Sequence, residues 1–285
     1  MRTNNAMQLK AVIGKRAKKA QVSPQLMLQN YMLERLIDRL SRSKWKDNVI
    51  IKGGVLIGSL IGVNRRSTKD LDATVYNLPL SHDVAERIFK DICAVEIADD
   101  ISFEFLRTEN IQESEEYPGI RIFLRANYDP MSVPVKVDIT TGDRIVPSAI
   151  EYEYPFVFDE GSVCVMAYPL ETVLAEKIET IISRNVGNTR IRDFYDVYEL
   201  WRLRRDKCKI STLREAVEAT SAKRGSDGAI RDYRQALQAI RASDSLARRW
   251  GDYVSANAYA EGIAFLEACD AVEEVMQAIE QGDRG

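Results

Sequence analysis

Two aspartates one residue apart, in Asp70-Leu71-Asp72, are the first residues whose spacing points to chemistry. Leu71, Ala73 and Val75 alternate with Asp70, Asp72 and Thr74, which is the period of a β-strand. In a strand, residues i and i+2 share a face with Cα atoms about 6.5–7 Å apart. Both carboxylates therefore point the same way and can hold one or two Mg²⁺ or Mn²⁺ ions, which bind through a few carboxylates plus phosphate oxygens. Upstream, the short apolar run Val49–Ile51 leads through Lys52 into Gly53-Gly54. A strand that ends in two glycines and opens a helix leaves backbone N–H groups free at a partly positive helix end, where a phosphate can rest. Either piece alone is an ordinary turn or a solvated strand face; the two in this order are more specific.

Two further clusters carry charge where the pattern is apolar. In Lys136-Val137-Asp138-Ile139-Thr140, Asp138 occupies the polar face of a strongly apolar strand. If that strand lies beside Asp70 and Asp72, a third carboxylate joins them, and three acids at one point repel one another unless a metal is present. Taken alone, Asp138 is equally well a surface acid on an edge strand. Farther on, Leu170, Val173, Leu174, Ile178 and Ile181 form a helical stripe, and Lys177 falls on it. A lysine there must snorkel to water or meet an anion, either a phosphate or the acid cluster. Lys177→Met, which keeps the apolar stem, is expected to fold at least as stably as the parent. Asp193 and Asp196 lie at i, i+3 in line with Leu200 and Leu203, so their face turns inward; alternatively they stabilise the N-terminal end of that helix through its dipole, and Arg192 can pair with Asp196 at i+4.

The elements that position these residues follow from periodicity and capping. Residues 7–20 and 24–42 are expected as helices, the second with Ser23 as N-cap and Pro24 in its first turn. A strand at 49–52 precedes a helix at 55–61, and a helix at 81–94 starts at Ser81. Alternation at Ile101–Phe105, Ile120–Leu124 and Val133–Ile139 marks further strands. From Leu170 onward the pattern is almost wholly helical. The expected fold class is α+β: a small mixed sheet within about residues 49–168, flanked by helices, with N-terminal helices and core spanning 1–168 and a helical domain at 169–285.

The 285 residues carry a net charge of −3, with 45% hydrophobic and 29% charged residues, ordinary values for a globular protein. The longest nearly uncharged apolar stretch, Gly53 to Val63, is too short to span a bilayer. The N-terminus has no apolar signal region, and Cys93, Cys164, Cys208 and Cys269 are too scattered for a zinc site or disulfide framework. These features point to the cytoplasm and away from membranes. Charge is uneven, however. Residues 1–33 contain six basic residues (Arg2, Lys10, Lys15, Arg16, Lys18 and Lys19) and no acidic one, a second basic cluster spans 202–209, and acid gathers at 96–116 and near Glu273, Glu274, Glu280 and Asp283. Such blocks are either solvated helix faces or a means of steering a polyanion. On the second reading, Lys15, Arg16, Lys18 and Lys19 contact RNA.

The ordered set K-G-G, R-x-T-x-D-L-D, K-V-D-I, A-E-K and R-D-F-Y-D resembles the AbiEii-type nucleotidyltransferase toxins, within the wider DNA polymerase β-like superfamily, over about residues 30–205. The resemblance implies a small mixed sheet with a divalent-metal site and a helical C-terminal region. It also implies a toxin paired with a separately encoded antitoxin in bacterial toxin–antitoxin and phage-defence systems. Relatives transfer nucleotides from an NTP, some of them to the tRNA 3′ end. By position, Asp70 and Asp72 match the metal-binding acids, Lys177 the active-site lysine and Asp196 the acid of the last motif. One departure is Val55, where Thr or Ser commonly follows Gly-Gly; Ser59 or Thr68 would have to supply the missing hydroxyl.

The expected chemistry is metal-assisted nucleotidyl transfer. Asp70, Asp72 and Asp138 hold Mg²⁺ or Mn²⁺, and Asp138 also accepts the proton of the attacking hydroxyl. Lys52, Gly53, Gly54, Arg66, Thr68 and Asp193 serve the nucleotide, Lys177 and Arg66 offset charge on the leaving pyrophosphate, and Asp196 orients Lys177. Rival readings are an antibiotic-type nucleotidyltransferase acting on a small hydroxylated acceptor, a phosphotransferase on the same scaffold, and a non-catalytic nucleotide-binding protein.

Overall fold

A computed structural model describes residues 5–111 and 119–282. Arg2, Asp283 and the acidic residues Glu113, Glu115 and Glu116 lie outside the described residues. The chain divides into two compact units, one comprising 1–143 and 150–167, the other 144–149 and 168–285.

The first unit is built on a mixed seven-stranded sheet in the order β3-β4-β5-β2-β1-β7-β6. Its strands are β1 (Val49–Lys52), β2 (Asp70–Val75), β3 (Ser102–Ile111), β4 (Gly119–Tyr128), β5 (Met131–Thr141), β6 (Ile150–Pro155) and β7 (Ser162–Ala167). Strands β3, β4 and β5 form an antiparallel meander, β2 runs parallel to β5 and antiparallel to β1, and β1 runs parallel to β7. Strict alternation gives the sheet two chemically distinct faces. Leu71, Ala73, Val135, Val137, Ile139, Ile122 and Leu124 are buried on one, and the acids and threonines occupy the other.

Four helices complete the unit: α1 (Ala6–Ala20), α2 (Pro24–Arg42), α3 (Gly53–Ile61) and α4 (His82–Cys93). Their starts are set by side-chain caps where the sequence provides them: Asn5 accepts from the Gln8 N–H, Ser23 from Leu26 and Ser81 from Val84. The α1 stripe Ala6, Leu9, Ile13 and Ala17 is buried. Helix α2 is buried over most of its length and covers the apolar face, where Arg39 stacks 4.9 Å above Phe103 and forks to Asp99 at 2.8 and 2.9 Å. Glu34 of α2 accepts from the Val157 N–H at 2.6 Å and from Arg35 at 2.7 Å, which ties the turn between β6 and β7 to the helix.

The second unit is helical: α5 (Leu170–Arg184), α6 (Arg192–Arg204), α7 (Ile210–Arg224), α8 (Asp227–Arg231), α9 (Tyr233–Arg241), α10 (Asp244–Ala256) and α11 (Phe265–Gln281). Helix α5 packs against α6 and α7, and α11 against α6. The α+β class expected from the pattern is the class observed. Among the described residues no helix is long and apolar enough to cross a membrane.

Candidate active site

Asp70 and Asp72 stand half-buried on the polar face of β2, with Leu71 buried on the other side. The parallel register to β5 sets Asp70 opposite Lys136, Asp72 opposite Asp138 and Thr74 opposite Thr140, and the antiparallel register to β1 sets Lys52 opposite Asp72. One sheet face therefore gathers three acids and the lysine of the K-G-G turn.

The glycine turn is shaped by Asp72. Gly53 has φ +64°, and a Cβ on it would lie 2.1 Å from Asp72 Oδ2. Only glycine satisfies both the dihedral and the close approach. The next N–H, that of Gly54, donates to Asp72 Oδ2 at 3.3 Å. A Cβ on Gly54 would meet Thr68 Oγ1 at 2.8 Å and an Arg66 guanidinium nitrogen at 3.1 Å. The start of α3 is thus pressed between β2 and the Arg66–Thr68 loop. That loop is pinned by Asn30, whose side-chain amide donates to the Thr68 carbonyl at 2.9 Å. Thr68 Oγ1 in turn donates to Asp70 Oδ1 at 3.1 Å. Arg66 is buried, and its guanidinium donates to the Ser67 carbonyl at 2.7 Å. Ser59 turns away to the Leu56 carbonyl and Tyr152, so of the two hydroxyls that could replace one at Val55, Thr68 is the one beside the glycines.

Burial, and then the neighbouring Asp70 charge, raise the Asp72 carboxyl to about 6, against the opposing pull of Lys52 and the Gly54 N–H. Lys52 is committed elsewhere, with Nζ 2.7 Å from Thr140 Oγ1 and 2.6 Å from Asp143 Oδ2. Thr74 also donates to Asp143. Burial would raise the Asp143 carboxyl, but Lys52 and the two hydroxyls hold it well below the usual carboxylate range. Asp143 was not among the residues singled out from the sequence.

Asp138 lies in register with Asp72, yet its carboxylate is forked to Arg121 of β4, both contacts at 2.7 Å. Among the described residues no three acids, histidines or cysteines are grouped as a preformed metal centre. Asp70, Asp72 and Asp138 share one face, and Asp138 differs from the other two in being paired with an arginine. The Asp70–Asp72 pair fits a divalent ion. Its charges repel and burial raises one of them, while the missing Gly53 side chain lets the Asp72 carboxylate lie directly against the turn backbone. Mg²⁺ is commonly held by one or two carboxylates and completed by phosphate.

In the second unit, Lys177 of α5 meets two acids of α6, Asp193 Oδ1 at 2.6 Å and Asp196 Oδ2 at 2.8 Å, and Asp196 is fully buried. Burial opposes the lysine charge, but the two carboxylates outweigh it and raise its pKa. The anion demanded by the apolar stripe is this pair. Arg192 is exposed, and Asp196 faces Lys177 instead of the i+4 partner. The basic N-terminal set is divided as well. Lys15, Lys18 and Lys19 are exposed, whereas Arg16 is half-buried, donates to the Val157 carbonyl and stacks 5.4 Å over Phe158.

The family model described as nucleotidyl transferase AbiEii toxin, type IV toxin–antitoxin system, matches residues 35–278. The chain belongs to this family. It is accordingly a nucleotidyltransferase of the AbiEii toxin type, and membership implies an NTP substrate and an antitoxin partner. A solved structure of JHP933 from Helicobacter pylori resembles it with a TM-score of 0.51 at 14% identity, covering 92% of this chain and 96% of that one, which shows the shared fold. A candidate nucleotidyltransferase from H. pylori aligns at TM-score 0.49 and 14% identity over 91% of this chain and 98% of its own. No curated protein matches the chain. The AbiEii match spans the glycine turn, the β2 acids, β5 and the Lys177 triad.

Two predictions follow from the electrostatics of this AbiEii chain. Below pH about 4, Asp72 carries a proton in both folded and unfolded states. As pH rises through about 6, only the folded state must ionise a carboxyl that burial and Asp70 resist, so stability is lost across that window. Asp72→Asn should remove this loss and stabilise the metal-free protein at pH 7 by about 2–3 kcal/mol. Urea midpoints in EDTA from pH 4 to 7.5 test it, and parallel profiles for the two proteins would refute it.

For Lys177→Met, the buried acids reverse the expectation drawn from the apolar stripe alone. Breaking a buried pair from one side costs about 3–5 kcal/mol, so the variant should lose that much at pH 7. Adding Asp196→Asn should recover at least half of it. An unchanged urea midpoint for Lys177→Met would show that the amine depends on water and not on Asp193 and Asp196.

Proposed function

We propose that the chain transfers a nucleotidyl group from an NTP to an RNA acceptor, the 3′ end of tRNA, as the toxin of a phage-defence toxin–antitoxin pair acting in the cytoplasm. The observation that carries the active-site assignment is the Asp70–Asp72 pair packed against the Gly53-Gly54 turn. Asp70 and Asp72 would hold Mg²⁺ or Mn²⁺. Once bound, the ion neutralises charge on the triphosphate and stabilises the negative charge that develops during transfer. Gly53 and Gly54 let phosphate approach the backbone at the start of α3, where helix N–H groups favour anions. Thr68 fixes Asp70, and Lys52, held by Asp143 and Thr140, keeps positive charge beside Asp72. Buried Arg66 stiffens the loop that carries Thr68 and adds a cation beside Gly54. Lys177, fixed by Asp193 and Asp196, is required for turnover.

The acceptor assignment rests on α1. Its buried stripe leaves Lys15, Lys18 and Lys19 exposed, in a helix without an acidic residue. Lysines contacting phosphates release counterions, which makes RNA affinity fall with salt.

Incubating the purified protein with total RNA, Mg²⁺ and each NTP labelled at the α or the γ position tests the reaction. The expected result is α-label on tRNA, reduced to background in Asp70→Ala and Asp72→Ala. Label from the γ position would identify a phosphotransferase, label on small hydroxylated compounds alone an antibiotic-type enzyme, and wild-type turnover in either alanine variant would refute the assignment of the acids.

Replacing Lys15, Lys18 and Lys19 together by Gln should lower the slope of log affinity against log salt by about 2, since each lost single-strand contact removes roughly 0.7. NTP affinity should be unchanged. A triple variant that labels tRNA like the parent across the salt series would return these lysines to the role of a solvated helix face.

A further inference from the structure

Resting on the reading of Asp70 and Asp72 as the divalent-ion site, we propose that Arg121 is a positioning residue that withholds Asp138 from the ion, so that the metal enters only with its nucleotide. Strand register sets the problem. Asp138 is paired directly with Asp72 across parallel strands, and paired strands lie about 4.8 Å apart. Asp70 shares the same face two residues away. Three acids so placed form a strong cation trap, and the charge of Asp138 already acts on Asp72.

The chain supplies its own cation to the third acid. Arg121 is paired with Asp138 across β4 and β5, and both contacts of the fork are 2.7 Å. A guanidinium matches a carboxylate in two parallel charge-assisted bonds, the strongest form this pairing takes. A divalent ion that recruits Asp138 must compete with this fork for the carboxylate charge and orientation. The Asp138 side chain is 17% exposed and that of Arg121 36%, so the pair is partly desolvated and stronger than a surface ion pair. Lys136 stands opposite Asp70 on β5, Arg66 lies beside Gly54, and Lys52 is held by Asp143. Two carboxylates alone bind Mg²⁺ incompletely and leave positions for phosphate oxygens. Arg121 thereby couples ion binding to nucleotide binding.

Mn²⁺ binding without nucleotide, followed by the electron paramagnetic resonance signal of free Mn²⁺, tests the inference without reference to turnover. An opposite charge close to a carboxylate changes its affinity for a cation by about tenfold or more. Arg121→Gln should therefore bind Mn²⁺ at least about tenfold more tightly than the parent. Arg121→Gln/Asp138→Asn should return to within about twofold of the parent, the usual limit of additivity. No gain in Arg121→Gln, or a large loss in the double variant, overturns the inference, and the double variant, in which both members of the ion pair are neutral, decides the matter even if Arg121→Gln fails to fold. Asp72→Asn separates the two levels. If it abolishes Mn²⁺ binding while Arg121→Gln gains nothing, only the role of Arg121 falls; if it binds like the parent, the ion site and this inference fall together.

Discussion

The organisation of the first unit depends on one electrostatic constraint, the crowding of negative charge on a single face of β2. Asp70 and Asp72 cannot move apart, because alternation fixes them on one side and the burial of Leu71 and Ala73 fixes the other. Their neighbours manage that charge. Gly53 yields space to Asp72, the Gly54 N–H and the Thr68 hydroxyl donate to the two carboxylates, and Lys52 lowers the cost of ionising Asp72. Asn30, on a helix remote in sequence, holds the Thr68 loop in place. The packing of α2 on the apolar face and the polar work on the opposite face are two consequences of the same strand period.

The second unit solves the complementary problem. Lys177 is a cation on an apolar helix stripe, and burial alone would lower its pKa. Asp193 and Asp196, one helical turn apart on α6, reverse that. The i, i+3 spacing brings two acids to one side of a helix, just as the i, i+2 spacing does in β2. In β2 the result is an unbalanced pair that calls for a cation; in α6 the balancing cation is built in. This difference explains why Asp72 is raised and why the lysine is held charged.

Much of this arrangement was legible in the sequence, and the remainder depended on pairings the sequence period does not specify. The α+β class, the strand through Asp70 and Asp72, the glycine start of α3 and the inward face of Asp193 and Asp196 all follow from periodicity and turn chemistry. Arg121 was legible in principle. The turn at Asp129-Pro130 joins Tyr128 to Met131, and counting back along both strands sets Arg121 opposite Asp138, but attention to acids alone passes over an arginine on the neighbouring strand. Asp143 and Asn30 were not legible. Their partners, Lys52 and Thr68, reach them through the order of the whole sheet or across a helix, which no local pattern encodes. The fold role of Arg16 was hidden for the same reason: within α1 it counts as one more basic residue, and the distant turn at Val157 and Phe158 engages it in the fold.

Val55 shows how a local departure is absorbed by its surroundings. A Thr or Ser at that place would offer a hydroxyl from the first turn of α3, where the N–H groups already favour an anion. Here the residue is apolar and buried, and a hydroxyl comes instead from Thr68, which lies against Gly54. That hydroxyl is already spent on Asp70. A hydroxyl on α3 would serve the phosphate independently of the acids, but one on the Thr68 loop is coupled to them, so a ligand that draws on it must first loosen Asp70. The same loop is held by Asn30 from below and by buried Arg66 alongside. On the proposed reading, phosphate contact and carboxylate placement are therefore coupled through Thr68, and a change at Thr68, Asn30 or Arg66 would act on both at once.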